Sequence, residues 1–155
     1  FPTEIYSFKD FIRTYQEEFK QLEEEIFVDS WNAILIDFPE YRYLFLKKLS
    51  EEKDYKLILL SNTNEIHIDW VKENVPFYED FKACFDAFYL SHEINFRKPD
   101  AEIYEFVLNK HELQPEKCLF IDDTTEHTKA AEALGIYNSH IAHTREDVID
   151  LFIDK

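Results

Sequence analysis

Short apolar segments that end in polar turns and lead into helices recur along the chain from residue 50 onward. Residues 55–60 (YKLILL) form an apolar run without polar alternation, which is typical of a strand buried on both faces of a sheet. Similar runs predict strands at 87–90 (AFYL), 118–121 (CLFI) and 136–141 (IYNSHI). Because helical segments separate these runs, the pattern predicts a three-layer α/β fold with a parallel sheet.

The helices of this region have recognisable ends. Helices are predicted after the turn at 61–64 and at 101–111, 126–134 and 145–152. Gly135 is predicted to stop the third of these, because glycine readily adopts the left-handed conformation found just beyond a helix.

The first 49 residues carry a purely helical pattern. Residues 7–25 place aromatic and aliphatic side chains at helical spacing, with Ser7 as the candidate N-cap. Further helices are predicted at 29–36 and 40–49. We therefore predict two parts, a helical cap at 1–49 and an α/β core at 50–155.

The charge of the chain limits its partners. It has 33 acidic and 17 basic residues, a net charge of −16. Such a surface repels the phosphates of nucleic acids and anionic lipids, so neither is expected as a partner. A small phosphate ester remains compatible, because a divalent cation and one lysine can reverse the local field. The longest apolar runs, AILI and LILL, are far too short to span a bilayer.

Two cysteines and the start of the chain give further expectations. Cys84 and Cys118 lie in apolar contexts without Cys-x-x-Cys spacing, so both are predicted to be reduced, buried thiols of a cytoplasmic protein. The chain contains no Met and opens with Phe-Pro. We expect a segment upstream of it in the natural protein.

Polar side chains follow three of the predicted strands. Ser61 and Asn62 follow the first, Lys98 lies in the loop after the second, and Asp122 and Asp123 follow the third. Because the carboxyl ends of parallel strands meet at one edge of a sheet, we expect these side chains to converge. Hydroxyl and amide donors, a cation and two carboxylates are what a phosphoryl group bound beside Mg²⁺ requires.

Three segments resemble the motifs of a known family. LLSNT, RKPD and FIDDTTEHTKAAEALG are similar, in order and spacing, to the second, third and fourth motifs of haloacid dehalogenase-like hydrolases. The branch that the chain most resembles contains phosphatases similar to glucose-1-phosphate phosphatase and to the phosphatase domain of soluble epoxide hydrolase. The resemblance covers nearly the whole chain and implies a helical cap, a Mg²⁺ cofactor and hydrolysis of phosphate monoesters.

The resemblance implies a role for each matching residue. Ser61 matches the hydroxyl that hydrogen-bonds the transferring phosphoryl group, and Asn62 its neighbour that orients the substrate. Lys98 matches the lysine that holds the nucleophilic carboxylate and the phosphate together. Asp123 aligns best with the Mg²⁺ ligand, with Asp122 as a second ligand or as the neighbour that positions the first.

Two features depart from the family pattern. His127 stands where this branch usually has asparagine, which puts a supporting role at that position in doubt. The first motif, Asp-x-Asp, is absent from all 155 residues. In the family its first Asp attacks phosphorus to form an aspartyl-phosphate, and its second protonates the leaving group and then activates water. Asp37 follows the run AILI, but Pro39 occupies the place of the second acid.

We therefore expect the nucleophile upstream of the chain. The family places the missing strand between the strands that end near Ser61 and Asp122, where it would pair both of their inner edges. The chain without that segment is expected to be inactive.

Simpler roles exist for each residue taken alone. Ser61 and the Asp122-Asp123 pair could cap helices, Lys98 could be a solvated lysine, and Asp100 is expected to cap the helix that follows it. The spacing His140-x-x-His143 is that of helical zinc ligands, but it falls at a strand end, so no zinc site is predicted there. The ordered set of motifs favours the phosphate site over these readings.

The predicted function is Mg²⁺-dependent hydrolysis of small phosphorylated metabolites, with sugar phosphates as the default substrates and a monomer or homodimer as the working form. A 2-haloacid dehalogenase, which needs no metal, is a first alternative, although two adjacent carboxylates suit a cation better than a reaction at carbon. A non-catalytic binding or regulatory member of the fold is a second.

Overall fold

The computed structural model of the protein describes residues 8–21, 23–35, 37–141 and 147–152. These residues belong to two compact units, Phe1–Asn95 and Phe96–Lys155. In both units short parallel strands alternate with helices, so the predicted α/β class is confirmed. The division into a cap at 1–49 and a core at 50–155 stays a prediction.

The first unit opens with three helices, as the helical pattern predicted, and then alternates. Its elements in chain order are α1 (Phe8–Glu18), α2 (Glu24–Asn32), α3 (Glu40–Glu52), β1 (Ile58–Ser61), α4 (Glu65–Asn74), α5 (Tyr78–Ala83), β2 (Ala87–Leu90) and α6 (Ser91–Ile94).

The limits of the first two helices differ from the predicted ones. The predicted helix 7–25 ends at Glu18, and α2 begins ahead of the predicted 29–36. Acidic residues explain this early start. Glu24 and Glu25 lie in the first turn of α2, where negative charge interacts favourably with the helix dipole and stabilises the helix. The predicted N-cap at residue 7 lies outside the described residues.

Strands β1 and β2 pair in parallel, with Ser61 opposite Leu90. The predicted strand at 87–90 is confirmed, whereas β1 is shorter than the predicted 55–60 and includes Ser61. Its residues are half-buried, so the expectation of burial on both faces is wrong for the described structure. Within the described residues β1 has a ladder partner along one edge only.

Aromatic side chains, most of them half-buried, pack against one another in the first unit. The ring of Phe81 lies edge-on to Phe38 at a centroid distance of 4.7 Å and to Phe88 at 6.2 Å. Tyr43 stacks on Phe77 at 5.0 Å. Aromatic pairs of this kind contribute about 0.5–1.5 kcal/mol each beyond the area that they bury. They hold α5 between α3 and β2.

The second unit repeats the strand–helix order. Its elements are α7 (Ala101–Lys110), a 3₁₀ turn (Pro115–Lys117), β3 (Leu119–Asp122), α8 (Thr125–Ala133), β4 (Tyr137–His140) and a 3₁₀ turn (Val148–Phe152). Strands β3 and β4 pair in parallel, with Asp122 opposite His140. Ile103 and Tyr104 of α7 and Ala131 of α8 are buried between these elements and form the core.

Several local predictions can be compared with this unit. Gly135 follows α8 with a φ of +80°, which confirms it as the stop residue. Asp100 does take the N-cap position of α7, but its side chain makes no capping hydrogen bond, so the expected role as a cap is wrong. The predicted last helix is a 3₁₀ turn over Val148–Phe152, and residues 142–146 lie outside the described residues.

The two cysteines differ in their surroundings. Cys84 is buried and Cys118 is half-buried, and neither forms a disulfide, so the expectation of two buried thiols is wrong for Cys118. Burial and the charge of Glu116 raise the pKa of the Cys118 thiol, which keeps it in the unreactive protonated form near neutral pH. Across the described stretches of the chain, no helix is both long and apolar enough to cross a bilayer.

Candidate active site

The turn after β1 places two of the predicted residues. Ser61 is the last residue of β1 and is half-buried, and Asn62, which follows it, is exposed. The Asn64 side chain accepts a hydrogen bond from the His67 backbone N–H at 3.0 Å and so caps α4. Ser61 is therefore not the cap of this helix.

Ser91 fixes this turn and was not predicted from the sequence. Its hydroxyl accepts a hydrogen bond from the Thr63 N–H at 3.0 Å and donates one to the Thr63 carbonyl at 3.0 Å. A signal for it exists, because Ser91 directly follows the apolar run of β2 just as Ser61 directly follows that of β1. The turns after both strands are thereby joined at the carboxyl edge of the first sheet.

Lys98 and Asp122 form a buried ion pair in the second unit. The Lys98 Nζ atom lies 2.6 Å from Asp122 Oδ2, and their side chains are only 8% and 7% exposed. The ammonium group also lies 5.5 Å from the centre of the Phe120 ring. Lys98 is therefore not a solvated lysine. A charge pair this deeply buried is retained only where its geometry is closely matched.

The second oxygen of Asp122 has two further donors. Oδ1 accepts a hydrogen bond from the Thr124 backbone N–H at 2.8 Å and one from His127 Nδ1 at 2.9 Å. Burial by itself would raise the pKa of Asp122, but the hydrogen bonds from Lys98 and Thr124 outweigh it and lower the pKa below its ordinary value. Asp122 is thus an ionised carboxylate with donors on both oxygens.

Asp123 has the opposite environment. The residue is exposed, and its Oδ1 accepts a hydrogen bond from the Thr124 hydroxyl at 3.3 Å. Its backbone carbonyl accepts a hydrogen bond from His140 Nε2 at 2.9 Å. His140, the last residue of β4, thus hydrogen-bonds to the turn after β3. The adjacent acids therefore differ, because Asp122 points into the unit and Asp123 points towards solvent.

The donor set fits one part of the predicted Mg²⁺ site. Mg²⁺ in proteins is usually held by one or two carboxylates together with waters and substrate phosphates. The exposed Asp123 carboxylate fits such a ligand, whereas both Asp122 oxygens already accept hydrogen bonds. Among the described residues, no group of three or more His, Cys, Asp or Glu side chains has an arrangement that could hold a metal.

The remaining candidates have other surroundings, lie outside the described residues or belong to the other unit. Asp37 is exposed and lies in the segment between α2 and α3, so it does not directly follow a strand. His67 contacts the Trp31 carbonyl at 3.2 Å. His143 lies outside the described residues. Ser61 and Asn62 belong to the first unit and the Lys98–Asp122 pair to the second, so their convergence stays a prediction.

Tyr104 supports the second unit's site and was also missed from the sequence. Its hydroxyl donates a hydrogen bond to the His127 carbonyl at 2.9 Å, and its ring lies edge-on to Phe120 at 5.4 Å. Burial, followed by the negative charges of Asp122 and Asp100, raises the pKa of Tyr104 to about 12. In the sequence Tyr104 is one apolar position of a helix, with no feature that distinguishes it from a core residue.

Replacing Tyr104 with phenylalanine is expected to lower the free energy of unfolding by about 1 kcal/mol at pH 7, the usual net value of one hydrogen bond. The effect should depend on pH. The pKa of Tyr104 is higher in the folded protein, so its contribution is complete below pH 10 and is lost as the pH rises through about 12. Urea unfolding of both proteins from pH 7 to 11 checks this, and the difference between the two stabilities should begin to shrink above pH 10.

The matched control is Tyr137→Phe, at an exposed position on β4 of the same unit. It should leave the free energy of unfolding unchanged at neutral pH. Equal effects of the two substitutions would contradict the role assigned to the Tyr104 hydroxyl.

The chain is similar to known proteins in both sequence and fold. The model of the haloacid dehalogenase-like hydrolase family matches residues 7–135. A haloacid dehalogenase family enzyme of Bacteroides thetaiotaomicron, BT-2542, was solved with magnesium and inorganic phosphate. It superposes with a TM-score of 0.85 at 33% identity, over 97% of this chain and 77% of that one.

Two curated relatives are phosphatases by name. D-ribitol-5-phosphate phosphatase of Bacteroides thetaiotaomicron is 32% identical over 56% of this chain and 43% of its own length. The sesquiterpene phosphatase astK of Aspergillus oryzae is 33% identical over 56% of this chain and 38% of its own. The chain thus spans less than half the length of either relative. Since the family model matches most of its residues, the chain belongs to the haloacid dehalogenase-like hydrolases.

Proposed function

We propose that the protein containing this chain is a Mg²⁺-dependent phosphatase of small phosphorylated metabolites. The observation that carries the proposal is the buried Lys98–Asp122 pair beside the exposed Asp123. Asp122, the last residue of β3, fixes the Lys98 cation, and the adjacent Asp123 offers a ligand for a metal ion. A phosphate ester and its metal need both.

Each residue has a chemical task in this proposal. Asp123 would hold a Mg²⁺ ion, and the positive charge of this ion would offset the negative charge of the phosphate. Lys98 would neutralise a phosphate oxygen, and Asp122 keeps its ammonium group in place. Ser61 would donate its hydroxyl hydrogen to a phosphoryl oxygen, while Asn62 would orient the substrate beside it.

The reaction also needs a nucleophile that this chain does not contain. No two aspartates are separated by a single residue anywhere in the sequence. We propose that an upstream Asp-x-Asp supplies the attacking carboxylate and the acid–base group, with an aspartyl-phosphate as the intermediate. The Lys98 ammonium would then lie between that carboxylate and the phosphate, where it offsets the repulsion between the two anions.

The names of the phosphatase relatives support the proposed substrate class. One is named for a sugar-alcohol phosphate and the other for a sesquiterpene. The phosphate group is common to both, whereas the organic part differs widely. Sugar phosphates are our default proposal, in keeping with the branch of the family that the sequence resembles.

The test is a phosphatase screen of the protein with its predicted upstream segment, over a panel of metabolite phosphates and p-nitrophenyl phosphate. We expect phosphate release that requires Mg²⁺ and stops on addition of EDTA. Residues 1–155 alone serve as the control and should release none, because they lack the nucleophile. Halide release from 2-haloacids in the presence of EDTA would instead support the dehalogenase alternative, and turnover by the control would contradict an upstream nucleophile.

A further inference from the structure

We infer that His127 is a positioning residue, which fixes the Asp122 carboxylate through its Nδ1–H and thereby holds Lys98 in place for the phosphate. The inference rests on the proposed phosphatase function. It concerns the position at which the chain departs from the asparagine usual in the branch that it resembles.

The hydrogen bonds to Asp122 fix the orientation of its carboxylate. Oδ2 has the Lys98 ammonium at 2.6 Å, and Oδ1 has both the Thr124 N–H at 2.8 Å and His127 Nδ1 at 2.9 Å. A carboxylate turns easily about its last bond, so a single donor on each oxygen leaves the group some freedom. Two donors on Oδ1 remove that freedom and direct Oδ2 at the lysine.

The position of His127 is itself well determined. Its side chain is 16% exposed, and its backbone N–H donates to the Thr124 carbonyl at 3.0 Å in the first turn of α8. Its carbonyl accepts the hydroxyl of Tyr104, which packs on Phe120. The imidazole therefore reaches Asp122 from a rigid element, as a positioning group must.

The chemistry of the bond assigns the proton. An ionised carboxylate can only accept hydrogen bonds, so Nδ1 must carry the hydrogen. Nδ1 is separated from Cβ by one atom, Cγ. The Nδ2 amide of asparagine is separated from Cβ in the same way and also carries hydrogen. Asparagine at this position can therefore make the same bond, whereas glutamine places its donor one carbon further out and alanine has none.

The first experiment detects the hydrogen bond between His127 and Asp122 and needs no substrate. A two-bond ¹H–¹⁵N spectrum of the protein should show that Nδ1 of His127 carries hydrogen. The ¹³Cγ signal of Asp122 should move in His127→Ala and His127→Gln and return towards its original position in His127→Asn. A neutral His127 protonated on Nε2 alone would overturn the inference, as would an Asp122 signal that is the same in all variants.

The second experiment measures how the loss of this hydrogen bond changes kcat/KM. In the phosphatase with its upstream segment, His127→Ala and His127→Gln should lower kcat/KM per folded molecule roughly tenfold, in line with the loss of a hydrogen bond to a charged group. His127→Asn should restore most of that activity. His111→Ala, at the end of α7, is the matched histidine control and should have no effect.

The two experiments separate two kinds of failure. A variant that only folds poorly would lose yield but keep kcat/KM per folded molecule, which contradicts positioning. If no phosphate ester is hydrolysed by the unmodified protein, the proposed function fails, and with it the part of this inference that concerns phosphate. The spectra would still decide whether His127 holds Asp122.

Discussion

Replacing Lys98 with methionine is expected to lower the free energy of unfolding by about 3–5 kcal/mol, the cost of removing one partner of a buried ion pair. The reason is the carboxylate that remains. Asp122 is 7% exposed, and without the ammonium its charge would be buried with only the Thr124 and His127 donors. Urea unfolding followed by circular dichroism at pH 7 measures the change.

Two controls test the cause of this loss. Lys117→Met, at an exposed position of the same unit, should change stability by less than about 0.5 kcal/mol. Adding Asp122→Leu to Lys98→Met should recover much of the stability, because a buried pair can be replaced by apolar side chains at little cost. A double variant as unstable as Lys98→Met alone would show that an uncompensated charge is not the cause.

The same pair predicts a loss of stability in acid. The pKa of Asp122 is lower in the folded protein than its ordinary value of 3.8. Its contribution to stability is therefore complete above that value and is lost as the pH falls through the lower, folded pKa. The stability difference between the natural protein and the Lys98→Met variant should accordingly shrink in that acidic range.

The second large effect is expected at the metal. Asp123→Asn in the phosphatase with its upstream segment should raise the Mg²⁺ concentration needed for half-maximal activity by roughly 100-fold or more, since even residues that only support metal ligands cost about 10–100-fold. The Asp123 side chain is exposed, so the substitution is expected to change the free energy of unfolding by only about 0.5 kcal/mol or less. A Mg²⁺ titration of phosphate release, paired with calorimetric binding of Mg²⁺, measures the shift.

The matched control is Glu126→Gln, which removes an exposed acid from the first turn of α8. It should leave the Mg²⁺ dependence close to that of the natural protein. If Asp123→Asn and Glu126→Gln behave alike, Asp123 does not hold the metal, and the assignment of metal binding to this turn fails.

Much of the fold follows from local patterns. The strand at 87–90 was predicted at its observed limits, because a short apolar run bounded by polar residues has few other structures available. Gly135 was predicted as a helix stop because its lack of a side chain permits a φ of +80°. The helix α2 was misplaced, since the acidic residues that start it also continue the polar face of the preceding pattern.

The chemistry of the candidate site depends on a contact that no local pattern contains. The residue types at 98, 122 and 123 and their order along the chain were sufficient to indicate a phosphate site and a family. They were not sufficient to indicate which of the two acids is buried and which is exposed, because this depends on where β3 ends. A strand at 118–121 would leave both acids in the turn, whereas the observed β3 includes Asp122.

Pairing with a distant strand sets that end. Asp122 lies opposite His140 on β4, and its carbonyl accepts the Ile141 N–H at 3.1 Å. Because side chains alternate along a strand, this pairing puts Asp122 on the same face as Phe120, where Lys98 and His127 reach it. The order of residues therefore specified which groups are present. Long-range strand pairing, whose partners are far apart in the chain, selected the acid that is buried and the acid that faces solvent.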